Sequence, residues 1–175
     1  MKKKNNSSLL FGYLAFTSGS IWFGASISRL LTTYQMFEET EFALKNYITN
    51  ENLSAIFQTT FPIVNLTFYS YIVMIITFTL FLIFSSLKLK ENGWLLIVSL
   101  IIYLTLPIES ILLMIDYKLI LLFMGEQFGS EQILKLVIER MSRLSSFPII
   151  LILSYLTIPF FLVFKPFTLK IKDED

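Results

Sequence analysis

PIVNLTFYSYIVMIITFTLFLIFSSL (residues 62–87), KLKENG (88–93) and WLLIVSLIIYLTLPIESILLMI (94–115) follow one another without a gap, and how they are read decides the fold. Each apolar run reaches the ~20 residues that carry an α-helix across ~30 Å of hydrocarbon, where only a helix or a closed barrel satisfies its own backbone. The connection, about Leu87 to Gly93, holds Lys88, Lys90, Glu91, Asn92 and Gly93 and is short enough to make only a tight antiparallel hairpin. Two more apolar runs flank this pair, Leu9 to Thr33 and Phe147 to Phe164. The expected fold is all-α: a polytopic membrane protein with four transmembrane helices in an antiparallel bundle plus an amphipathic helix on the outer face. One domain is expected over residues 1–175, with spans at about 9–33, 62–87, 94–115 and 147–164, outer loops at about 35–61 and 116–146, and a tail at 165–175.

Composition narrows the function classes. At 55% hydrophobic and 15% charged, a chain of 175 residues is too apolar for a soluble multidomain protein. It contains no cysteine and no histidine. Disulfides, thiolate metal sites and thiol redox chemistry are thereby closed off, together with the commonest ligand of haem, zinc and copper. Net charge is +1 and the basic residues form separate short clusters, so nucleic acid is not an expected partner. No cofactor is expected; a bound lipid is compatible with the composition.

Charge orients the spans. Lys2, Lys3, Lys4, Lys88, Lys90, Lys165, Lys170 and Lys172 fall on one side. The opposite loops carry Lys45, Lys118, Lys135, Arg140 and Arg143 against Glu38, Glu39, Glu41, Glu51, Asp116, Glu126, Glu131 and Glu139. The positive-inside rule then places both termini on the cytoplasmic side of a cytoplasmic, or organellar inner, membrane. A competing account makes Lys2 to Phe23 a secretory signal with a cleavage site at Gly24, Ala25 and Ser26. Against it, small residues begin well before Gly24 and recur with helical spacing.

Within span one, Ala15 and Gly19, and separately Ser20, Gly24 and Ser28, repeat at intervals of four. Small residues so spaced form a groove that another helix backbone can approach, either inside the same bundle or on a partner subunit. Trp94 is expected in an interfacial aromatic belt, and Trp22 against a neighbour or lipid. Pro107 and Pro159 are expected to kink their helices. The first outer loop is expected to carry a helix through Phe37, Leu44, Tyr47 and Ile48, with a Glu41 to Lys45 pair, interrupted at Asn50 and Asn52. Asn52, Leu53 and Ser54 match a glycosylation acceptor triplet, a pattern frequent by chance.

In the second outer loop Gly129 and Ser130 start an amphipathic helix. Ile133, Leu134, Val137, Met141 and Leu144 form its apolar face, while Glu131, Lys135, Glu139, Arg140 and Arg143 are polar, with Glu131 to Lys135 and Glu139 to Arg143 at i,i+4. That face either closes on its own bundle, docks another subunit or gates a substrate path. Leu119 to Met124, beyond Asp116 and Lys118, continues span three or bends along the surface.

Arg29 and Glu109 lie at comparable depth, ~7.5 Å and ~12 Å from Tyr34 and Tyr117 at 1.5 Å per residue. An isolated charge at membrane depth costs at least ~3 kcal/mol, so an Arg29 to Glu109 ion pair tying span one to span three is expected. The alternative is that Arg29 snorkels to the headgroups. Glu109 and Asp116 share a face but sit ~10.5 Å apart, too far for a shared proton. With Tyr103, Thr105, Ser110, Tyr69, Tyr71 and Tyr155 they would line any polar pathway.

No catalytic, cofactor-binding or metal site is expected. An intramembrane aspartyl hydrolase needs two convergent aspartates, and Asp116 has no mate in span four. The composition favours a non-catalytic accessory or structural subunit, or assembly factor, of a larger integral membrane complex, with other membrane subunits and the lipid bilayer as partners. The alternative is a small proton- or solute-coupled transporter or channel using Glu109 as its intramembrane charge.

Overall fold

A computed structural model describes residues 6–38, 42–125, 129–143 and 147–169. Lys2, Lys3, Lys4, Glu39, Glu41, Glu126, Leu144, Lys170 and Lys172 lie outside the described residues, and with Glu41 the proposed Glu41 to Lys45 pair. The described chain is helical, with only isolated bridges outside the helices. Three helices are long and apolar enough to cross a membrane: α1 (Asn6–Tyr34), α2 (Asn50–Phe84) and α3 (Gly93–Met124). Then come α4 (Ser130–Ser142), α5 (Phe147–Leu156) and α6 (Ile158–Phe164), the last two forming a shorter apolar stretch.

The long helices meet along seams with heptad spacing. Ala15, Ser18, Trp22, Ala25 and Arg29 are the buried residues of α1, at alternating intervals of three and four. Val64, Thr67, Tyr71, Met74 and Phe78 repeat the pattern on α2, and Leu95, Val98, Ile102, Glu109, Leu112, Asp116 and Leu119 keep the same phase on α3. A period near 3.5 keeps one stripe facing a neighbour over many turns. α1 and α2 make the most extensive contact. Small residues permit it: a Cβ added at Gly12 or Gly19 would come within 3.1 Å of the Phe81 ring or the Met74 sulfur. Phe11 stacks on Phe84, and Trp22 packs on Tyr71. Across α2 and α3, Phe61 stacks on Phe123, Phe68 on Tyr117, and Phe78 meets Tyr103.

The 35 residues of α2 and the 32 of α3 run ~52 Å and ~48 Å, well beyond a ~30 Å hydrocarbon layer. Their surplus turns build an outer cap in which Leu53 and Phe57 of α2, Ile115 and Leu119 of α3, Ile133 of α4, and Met36, Phe37 and Ile48 of the first loop are all buried. Asn50 and Asn52 therefore start a helix where they were expected to interrupt one. The Thr49 amide donates to Asn52 Oδ1 (2.8 Å), Asn52 Nδ2 donates to the Tyr47 carbonyl (2.8 Å), and Glu51 sits in the first turn, where the helix dipole favours an anion. No helix forms through Phe37, Leu44 and Tyr47. The loop is instead pinned by a bridge between Phe37 and Leu44 and by the Tyr47 hydroxyl on the Gln35 carbonyl (2.6 Å). α3 runs past Pro107 without interruption and on through Leu119 to Met124.

Pro159 does more than kink. It sits in the first turn of α6, and the helix stops at Leu156, because proline lacks the amide and its ring collides with the preceding turn. After α6 the chain turns back through left-handed Lys165 (φ 45°) and Phe167 (φ 60°). The Gly93 amide donates to the Phe167 carbonyl (3.0 Å) and the Leu169 amide to the Glu91 carbonyl (2.9 Å), fastening this segment to the start of α3. A Cβ on Gly93 would lie 2.7 Å from Phe167 Cβ. Gly93→Ala is accordingly expected to lose about 1–3 kcal/mol through overpacking, read as an earlier midpoint in SDS unfolding from detergent micelles; an unchanged midpoint would show that the closure contributes nothing.

Candidate functional site: a buried arginine and carboxylate cluster

The seams converge on charge. Arg29 is the next position after Ala25 on the buried stripe of α1, and Glu109 and Asp116 occupy one stripe of α3 seven residues apart. α4 folds over the top and contributes Arg140. Arg29 Nη1 donates to Asp116 Oδ2 (2.8 Å) and Nη2 to Oδ1 (2.6 Å), a two-pronged fork, and Arg140 Nε donates to Oδ1 (3.0 Å). Side-chain exposure is 2% for Asp116, 9% for Arg29 and 20% for Arg140. One carboxylate thus fastens α1, α3 and α4 through three charge-assisted hydrogen bonds. Burial and the neighbouring Arg29 hold the Arg140 guanidinium below the ordinary arginine value, with Asp116 and Glu109 pulling the other way; arginine nonetheless stays charged.

The expected Arg29 to Glu109 pair is corrected here. Arg29 does not snorkel, and its partner is Asp116, because α3 continues past Tyr117 inside the protein and carries Asp116 to the level of Arg29. Glu109 is buried too, and among the described residues no hydrogen bond or ion pair engages its carboxylate. It lies within electrostatic reach of Arg140, Asp116 and Arg29. With both carboxylates ionised, two arginines and two acids sum to zero.

On its other side Glu109 is within electrostatic reach of the Tyr71 and Tyr155 hydroxyls. Tyr155 shares a hydrogen bond with Thr105 (3.0 Å), and the buried Tyr71 hydroxyl lies beside that of Tyr155. The remaining hydroxyls form no continuous path. Tyr69 is exposed, Tyr103 bonds Thr79 (2.9 Å) and Ser110 donates to the Leu106 carbonyl (2.7 Å).

The predicted packing stripe of α1 divides in two. Ala15 and Gly19 lie against α2 and the core. Ser20, Gly24 and Ser28 point outward: both serines donate to their own helix backbone (2.9 Å each), and a Cβ on Gly24 would meet nothing within 4 Å. The predicted docking face of α4 lies partly against its own bundle. Ile133 is fully buried, and Leu134, Val137 and Met141 are half-buried against the cap of their own bundle. The Glu139 to Arg143 bridge forms (2.7 Å); no ion pair joins Glu131 to Lys135 among the described residues. Trp94 is buried beside Val98 and Ile102 in the first turn of α3, and Trp22 packs edge-on to Tyr155 (4.5 Å).

Arg140 escaped the sequence reading because its neighbours in sequence made it one of a run of exposed helix charges. The signal was its place beside the apolar positions Val137 and Met141. Among the described residues no group of three or more acids gathers to hold a metal ion. No protein-family model, curated protein or solved structure matches the chain.

Proposed function

We propose that the protein is a four-span antiparallel bundle with both termini on the cytoplasmic side, acting as a non-catalytic accessory or structural subunit, or assembly factor, of a larger integral membrane complex. Contact partners support the antiparallel order: as positions rise along one helix they fall along the next, Phe11 with Phe84 and Trp22 with Tyr71, then Phe61 with Phe123 and Phe78 with Tyr103. α5 and α6 together make the fourth crossing, 18 residues from Phe147 to Phe164. The lysine distribution supports the orientation.

The outward stripe Ser20, Gly24 and Ser28 carries the functional reading. A membrane helix gains nothing from small residues facing lipid, whereas they let a second helix approach closely. The buried charges fit the same role, since Asp116 is saturated by two arginines and serves as a fastening. Native mass spectrometry of the protein extracted from its own membrane is expected to show fixed stoichiometry with other membrane proteins. Gly24→Leu, whose Cβ would meet no other part of its own chain within 4 Å beyond its own helix, is expected to release them while leaving the unfolding midpoint in place. A bare monomer or homo-oligomer from wild-type membranes would remove the reading.

A second reading has its own observation: Glu109, buried without a hydrogen bond among the described residues, within electrostatic reach of the Tyr71 and Tyr155 hydroxyls. Here the chain is a small proton- or solute-coupled transporter or channel with Glu109 as the coupling charge. It requires proton uptake into reconstituted vesicles that Glu109→Gln abolishes; no uptake by the wild type would dismiss it.

A further inference from the structure

Between α1, α2, α3 and the α5–α6 break lies a cavity of about 180 Å³. Gly12 and Gly19 keep its α1 wall low, Val98 and Ile102 form its floor, and the interruption before Pro159 keeps α6 from closing against α1. Its polar lining offers water little: the Ser20 hydroxyl, on the exposed side of α1, donates to the Phe16 carbonyl and the Tyr155 hydroxyl is shared with Thr105, so only hydroxyl lone pairs remain, whereas a buried water needs two to four polar partners. An empty apolar void forfeits dispersion contacts along its whole lining, so an apolar occupant is favoured.

One end of the cavity identifies the occupant's other half. Trp94 lines that end, and the Lys165 ammonium stands over its ring, 5.8 Å from the centroid. Among the described residues Lys165 has no carboxylate partner, unlike Lys88, which is held by Glu91 at 2.8 Å. The left-handed backbone at Lys165 fixes the side chain's starting point just past the last turn of α6. An apolar slot with a lysine ammonium over the tryptophan that lines it, and no carboxylate on that lysine among the described residues, matches a molecule with a hydrocarbon tail and an anionic head. We propose that the cavity binds a segment of one acyl chain of an anionic phospholipid, whose phosphate pairs with Lys165.

Trp94 is itself the reporter. It is 6% exposed, so lipids merely surrounding the protein quench it weakly, while a chain inside the cavity touches it. The protein is reconstituted into phosphatidylcholine nanodiscs carrying a small fraction of either phosphatidylglycerol or phosphatidylcholine with brominated chains, and tryptophan fluorescence is read. The brominated phosphatidylglycerol is expected to quench several-fold more than the same fraction of brominated phosphatidylcholine. Lys165→Gln, a surface change, is expected to bring the ratio to near one, and Leu162→Phe, which fills the cavity, to lower quenching by both lipids. Equal quenching of the wild type by the two lipids, or a ratio unmoved by Lys165→Gln, would overturn the proposal.

Discussion

Asp116→Asn is expected to destabilise the protein by about 3–5 kcal/mol, the range for removing one partner of a buried ion pair. Asparagine keeps the shape and some hydrogen bonding but deletes the charge facing Arg29 and Arg140, leaving two guanidinium groups against Glu109 alone. Arg29 is nearly buried and Arg140 only one-fifth exposed, so water replaces the lost carboxylate poorly. Arg140→Met should cost less, because the two-pronged bond from Arg29 survives. The measurement is the free energy of SDS unfolding in mixed micelles, followed by tryptophan fluorescence. A loss for Asp116→Asn below about 1 kcal/mol would place the cluster among ion pairs that contribute little.

Ile133→Ala is expected to cost about 2–5 kcal/mol, the range for emptying a buried aliphatic site. Ile133 has no exposed surface and is the only fully buried residue of α4, so the helix's attachment to Ile115, Leu119 and Phe57 rests largely on it. Arg140 sits two turns further along the same helix and bonds Asp116 from there. Loosening α4 should therefore weaken that bond as well, and the losses of Ile133→Ala and Arg140→Met should be less than additive when combined. Hydrogen exchange of the α4 amides should rise in Ile133→Ala well before global unfolding. Full additivity with unchanged exchange would mean that packing and ion pairing hold α4 independently.

Much of this fold was legible in the sequence because bilayer thickness sets helix length. Long apolar runs announced α1, α2 and α3, the spacing of Ala15 and Gly19 announced a close helix contact without saying which helix makes it, and Gly129 with the apolar period after it announced α4. Helix ends were not legible by the same rule. It stops a span where hydrocarbon stops, at Ile115 and Pro62, but these helices continue because the outer cap supplies protein contacts in place of lipid. That error hid the partner of Arg29. Treated as a loop residue, Asp116 fell outside the set of intramembrane charges, although the seven-residue step from Glu109 already put it on the buried stripe. The first loop failed for a related reason: Phe37 and Ile48 have helical spacing with Leu44, but burial in the cap, a long-range contact, determines their conformation.

The division of roles among the charges rests on Arg29 having Asp116, and not Glu109, as its partner. Two double-mutant cycles measured by SDS unfolding test this, Arg29→Met with Asp116→Asn and Arg29→Met with Glu109→Gln. A coupling of about 2 kcal/mol or more is expected in the first and less than about 1 kcal/mol in the second, on the scale found for residues in direct contact against those merely nearby. Strong coupling of Arg29 to Glu109 with additive losses at Asp116 would contradict the arrangement described here and return Glu109 to a structural role.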